Sequence, residues 1–125
     1  MRIVVCGSRD FDDEYVVRSF LFGLSVNRPL RTNDELVIIE GVCPYGGADK
    51  IAADVAMFFG WGHEAFPPKT NTAPDFHARN RAMIDSGADL CVAFVNKPLS
   101  LSRGTANTVD YARAKGVKTI VIEVQ

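Results

Sequence analysis

Short apolar runs alternate with longer stretches of helical spacing along this chain. Residues 3–6 form a continuous apolar run, rich in β-branched side chains, that ends at Gly7. Such a run suits a strand buried on both faces. Asp12 and Asp13 follow where a helix begins and acidic residues are favoured. Val16, Val17, Phe20, Leu21 and Leu24 then recur at helical spacing. Residues 27–34 read as a polar connector carrying Pro29, and residues 36–39 as a second buried strand ending at Glu40-Gly41. Pro44-Tyr45-Gly46-Gly47 has turn chemistry. Residues 48–59 follow as a helix with Ile51, Ala52, Val55, Ala56 and Phe59 on one face. The strand signal at 62–66, which includes His63, is the faintest, and Pro67 and Pro68 stop it. Residues 72–86 read as a helix, with Pro74 in its first turn and Gly87 past its end. Residues 89–95 are a strong strand, 96–103 a loop, 105–115 a helix stopped by Gly116, and 119–124 the last strand.

Strands alternating with helical stretches of about 10–15 residues predict a parallel sheet with right-handed crossovers. The expected fold class is therefore α/β: one three-layer domain over residues 1–125, with a mainly parallel five-stranded sheet and helices on both faces. No internal repeat, low-complexity tract or linker interrupts it. Tyr111, Phe58 and Trp61 fit either a core or a partner surface.

Composition narrows the partners. The chain has 125 residues, 47% apolar and 23% charged, with a net charge of −1. That balance argues against bulk electrostatic binding of nucleic acid or anionic membrane, and leaves room for a local cationic pocket. No run approaches membrane-spanning length, and the first residues lack the apolar stretch of a signal peptide. A cytoplasmic location is the expectation. Cys6, Cys43 and Cys91 are odd in number and far apart, which fits buried reduced thiols better than a disulfide framework or zinc site. His63 and His77 are too distant, without cysteine partners, to suggest a metal centre.

In an open parallel sheet the carboxyl ends of the strands share one edge, where ligands bind. Four polar signals map to that edge. Gly7-Ser8-Arg9 follows the first strand: the glycine lets backbone amides approach an anion, Ser8 adds a hydroxyl, and Arg9 offers paired donors to phosphate or carboxylate. The bland alternative is a strand-to-helix turn with an exposed arginine. Gly46-Gly47-Ala48-Asp49 opens the next helix, where two glycines can form an anion nest beside Gly41. Asp49 would repel phosphate, so it suits ribose hydroxyls, Arg9, or ordinary capping of the turn. Glu40, on the same edge, could contact a sugar or act as a general acid or base. Arg79-Asn80 lies in a helix, as a phosphate partner and a base or sugar partner, or as part of a solvated cationic face. Gly104-Thr105 begins the last helix, whose free amides and threonine hydroxyl suit a phosphate, or a plain helix cap. The chain has neither Gly-x-Gly-x-x-Gly nor a Walker loop.

Taken in order, Gly7-Ser8-Arg9-Asp10-Phe11, Gly47-Ala48-Asp49-Lys50-Ile51-Ala52, Arg79-Asn80-Arg81-Ala82-Met83 and Gly104-Thr105-Ala106 resemble the SLOG superfamily. This is the Rossmann-like group of LOG phosphoribohydrolases and DprA-type proteins, and the likeness is closest to its YspA/YpsA-related branch of bacteria and phages. The likeness covers essentially the whole chain. It implies a nucleotide or nucleotide-derived ligand at the strand edge. LOG enzymes carry Pro-Gly-Gly-x-Gly-Thr-x-x-Glu, whereas here the double glycine is missing and Thr108 stands at the glutamate position. Threonine cannot replace that carboxylate in N-glycoside cleavage.

The leading expectation is a nucleotide-ligand sensor or sequestering module. Arg9, Gly46-Gly47 and Gly104-Thr105 would hold phosphate, and Asp49 and Asn80 ribose or base. The alternative is a LOG-like hydrolase of a nucleoside monophosphate, with Arg9 and Arg79 on phosphate and Glu40 or Asp49 as the catalytic carboxylate. Single-stranded nucleic-acid binding ranks third, because neither a cationic track nor stacking platforms stand out. No cofactor or metal is required; Mg2+ could accompany a phosphate ligand. A homodimer through apolar helix surfaces stays open.

Overall fold

The computed structural model describes residues 1–27 and 36–124. Most of the expected connector, including Pro29, lies outside the described residues.

The elements run β1 (Arg2–Gly7), α1 (Glu14–Asn27), β2 (Val37–Glu40), α2 (Gly47–Phe59), β3 (Gly62–Ala65), α3 (Ala73–Asp85), β4 (Leu90–Val95), α4 (Arg103–Ala114) and β5 (Lys118–Glu123). A single 3-10 turn, Leu99–Leu101, interrupts the loop read before α4. All strand pairs are parallel, in the order β3-β2-β1-β4-β5. The fold is Rossmann-like α/β. Element boundaries differ from the sequence reading by one or two residues, as helix and strand ends commonly do.

Alternation along β1 divides the core. Ile3 and Val5 face the layer built by α1 and α2, with Val17, Leu21, Ile51, Ala52 and Val55. Val4 and Cys6 face the α3 and α4 layer, with Met83, Ile84, Val109 and Ala112. β4 is buried at every position, which explains its unbroken apolar run. The faint signal at β3 has an equally simple cause. It is an edge strand with only intermediate and exposed residues, so little apolar pressure acts on it.

Trp61 stacks on Phe59 at a centroid distance of 4.8 Å and packs on the α1–α2 core. Tyr111 packs partly on the other core and donates its hydroxyl to Asp85. Phe58 remains exposed.

The strand order reverses direction between β1 and β4. β1 feeds α1 on one face, while β4 feeds α4 on the other. Chains leaving in opposite directions open a crevice at the carboxyl ends of these two strands, the favoured ligand position in open α/β sheets.

Candidate functional site at the strand switch point

A cavity of about 530 Å³ occupies that crevice. Of the residues singled out in the sequence, Gly7, Ser8, Arg9, Gly46, Ala48 and Asp49 line it from the β1 and β2 sides. Arg79 and Asn80 line it from α3, and Gly104 and Thr105 from α4. Glu40, Gly41 and Gly47 do not line it but shape its walls.

The β1 turn is held by the sheet itself. Ser8 N–H donates to Phe94 O at 3.0 Å, and the Ser8 and Ser102 hydroxyls meet at 3.2 Å. Arg9 stays exposed, with its guanidinium 4.9 Å from the centre of the Tyr45 ring. Gly47 sits at φ 69°, and a Cβ there would fall 2.7 Å from Ser8 O. Glycine is needed at that position so that the start of α2 can lie against the β1 turn.

The segment from Gly41 to Gly46 forms the wall between β2 and α2. Three charged side chains surround its backbone, and two of them hydrogen-bond to it. The Asp49 carboxyl faces the backbone of Gly41 and Cys43, whose donors favour its charged form. Arg79 donates Nη1–H to Gly41 O. Glu40 accepts from Val42 N–H at 2.7 Å, and its other oxygen lies 2.8 Å from His63 Nε2. Asp49 is pushed up to about 7, chiefly by burial and then by the charge of Glu40; Arg79 and the two backbone donors act in the opposite direction. A carboxyl in that range exchanges its proton near neutral pH.

On the α3 side, Asn80 is buried and accepts from Arg79 Nε at 2.8 Å. Its Nδ2 lies 3.3 Å from Asn107 Oδ1 and 3.5 Å from Gly104 O, tying α3 to α4. Asn80 thus aims Arg79. His77 and Arg81 do not line the cavity.

The first turn of α4 closes the site. Ala106 N–H donates to Ser102 O, so the amides of Arg103, Gly104 and Thr105 have no acceptor inside the helix. Thr105 is 6% exposed and lines the cavity, yet its hydroxyl has no hydrogen-bond partner among the described residues. Thr108 turns its hydroxyl onto Gly104 O at 3.3 Å.

Sequence reasoning did not assign Tyr45, Phe76, Lys97, Ser102 and Arg103 to the lining. These sit on loops and helix starts, where no periodicity flags them. Their signal was position alone, since each follows a strand at the ligand edge. With Arg9, Arg79, Lys97 and Arg103, the cavity presents four cationic side chains. None is in a salt bridge with a carboxylate among the described residues. Asp10 and Asp49 supply the opposing carboxyls in the lining, and Asp10 receives Asn96 Nδ2 at 3.1 Å. Among the described residues no cluster of three or more His, Cys, Asp or Glu side chains is arranged to hold a metal, and no helix is long and apolar enough to cross a membrane. Cys6, Cys43 and Cys91 are free thiols.

Fold and site together define a Rossmann-like α/β domain with an anion-friendly cavity at its strand switch point. Comparison with protein-family models, with curated proteins and with solved structures finds no match.

Proposed function

We propose that this protein binds a nucleotide or nucleotide-derived small molecule in the switch-point cavity, as a sensor or sequestering module. The observation that carries the reading is the α4 start. Three helix amides without intrahelical acceptors and an unpartnered Thr105 hydroxyl open to the cavity meet a lining that includes Arg9, Arg79, Lys97 and Arg103. Aligned amides and unpaired cations favour a phosphate. Asp49 and the aromatic rings of Tyr45 and Phe76 offer partners for the sugar and base. The volume lies within the range of small-molecule sites, about 300–1,000 Å³. The SLOG resemblance points to the same ligand class. Mg2+ would enter with the phosphate of the ligand, and the cytoplasm supplies such ligands.

The test is mass spectrometry of ligands released from the purified protein, followed by incubation with a nucleotide panel. An intact nucleotide that co-purifies and stays unchanged supports binding without turnover. A protein that carries none and binds no panel member overturns it.

One observation favours a second reading, cleavage of the N-glycosidic bond of a nucleoside monophosphate. Asp49 lines the cavity with a proton affinity suited to acid–base work near neutrality. Release of free base and phosphosugar by the wild type but not by Asp49→Asn would establish it.

A further inference from the structure

Val42 is the one residue other than glycine with positive φ among the described residues, at φ 55°. A β-branched side chain in the left-handed region is strained, and such strain persists only where the surroundings over-determine it. The Val42 side chain does not compensate by burial, since it is 42% exposed. The constraint comes from charged groups on either side. Arg79 donates to Gly41 O, and Glu40 accepts from Val42 N–H itself. The chain then turns so that Cys43, Pro44, Tyr45 and Gly46 line the cavity.

We infer that Glu40 is a positioning residue for the ligand cavity: its buried carboxylate holds Val42 in the left-handed conformation that makes residues 43–46 a cavity wall. Glu40 is 4% exposed and does not line the cavity, so it acts through Val42 and not on the ligand. His63 Nε2, on the neighbouring strand, engages the second oxygen and fixes the carboxylate plane. The inference deepens the ligand-binding reading and rests on it for the affinity change, but the backbone conformation is measurable on its own.

The experiment compares wild type, Glu40→Gln, Glu40→Ala, Val42→Gly and the double variant Glu40→Ala/Val42→Gly. AMP affinity is measured by calorimetry, and amide exchange at Val42 and Cys43 by NMR. Glu40→Ala should weaken AMP binding about tenfold, equivalent to 1.4 kcal/mol, and speed Val42 exchange by a similar factor. Glu40→Gln keeps an acceptor, though a weaker neutral one, and should lose less of both. Glycine tolerates positive φ, so in the Val42→Gly background the loss of Glu40 should weaken AMP by roughly threefold or less. An equal loss in both backgrounds overturns the proposal, as does unchanged Val42 exchange in Glu40→Ala. If Glu40→Ala does not fold, unchanged exchange in Glu40→Gln overturns it instead. If the wild type binds no AMP, faster Val42 exchange still supports the hold on the loop, and only the choice of ligand falls.

Discussion

Arg79 occupies the space that a side chain on Gly41 would need. A Cβ built on Gly41 would lie 2.3 Å from Arg79 Nη1, the atom that donates to Gly41 O. The obstacle is the far end of a flexible side chain, so Gly41→Ala should evict the guanidinium and leave the fold intact. The expected stability loss is about 1 kcal/mol, one hydrogen bond. The expected loss of nucleotide affinity is about tenfold or more, because a charged hydrogen bond to an anion is worth roughly 1.5–3 kcal/mol. Thermal melts and calorimetry on one preparation separate the two effects. A variant that binds as well as wild type would remove Arg79 from the site.

Gly7 and Gly104 both line the cavity, yet alanine at each should behave in opposite ways. A Cβ on Gly7 would fall 2.1 Å from the Phe94 carbonyl oxygen, which the sheet cannot move. Gly7→Ala should destabilise by about 3 kcal/mol or more, at the upper end of overpacking costs. A Cβ on Gly104 meets nothing within 4 Å, and the residue lies in the first turn of α4. Gly104→Ala should raise stability by roughly 0.5–1 kcal/mol through helix propensity and still weaken a phosphate ligand that approaches there. Denaturant melts of both variants check the first part, and titration of Gly104→Ala with a nucleotide checks the second.

Asp49 should make stability fall as pH rises through the acidic range. Burial and the Glu40 charge push its folded value up to about 7, against about 3.9 for aspartate in an unfolded chain. Between those limits the unfolded state releases the proton and the folded state keeps it. Its stabilising contribution is therefore complete below about pH 4 and lost as pH rises through about 7, on the order of 4 kcal/mol in all. Asp49→Asn mimics the protonated carboxyl. Its Tm, measured by calorimetry from pH 4 to 7, should gain on that of wild type as pH rises. Parallel curves would show that the carboxyl ionises freely in the folded state.

Thr105→Val separates ligand recognition from folding. The hydroxyl opens to the cavity and has no protein partner among the described residues, so its removal should change stability by no more than about 1 kcal/mol. The same change removes a donor from the expected phosphate position and should weaken nucleotide binding about tenfold. Thr105→Ser, which keeps the hydroxyl, should bind within about threefold of wild type, a difference of roughly 0.7 kcal/mol. Equal affinity for Val and Ser variants would assign Thr105 to the helix start alone.

Much of the architecture was legible because burial writes itself into sequence. β4, buried throughout, announced itself as an unbroken apolar run, and β1 ended at the glycine that Phe94 crowds. The carboxyl-edge placement of Ser8 and Arg9 followed from the end of β1, whereas Asp49, Arg79 and Thr105 lie within helices, where the sequence equally allowed a cap or a solvated face. What escaped was set by backbone conformation. A valine gives no hint of a left-handed turn, so the convergence of Glu40, Asp49 and Arg79 on residues 41–43 was hidden. Glu40 read as a candidate reactive carboxylate on its position; in the fold both its oxygens are engaged, by Val42 and His63. Tyr45 and Lys97 escaped for another reason, being loop residues whose role depends on where distant strands bring them.

The central strand depends on a neighbour that arrives late. Ile3 lies opposite Leu90, and β1 is matched by β4 from Ile3 to Gly7. At roughly 5–20 residues per second of synthesis, some 4–17 seconds separate the two strands as they leave the ribosome. Through that interval one flank of this largely apolar strand is an open hydrogen-bonding edge, the kind of surface that recruits foreign strands. Yield of this protein in cells should thus hinge on how well the nascent chain is shielded before residue 95 has emerged, more than on the stability of the finished sheet.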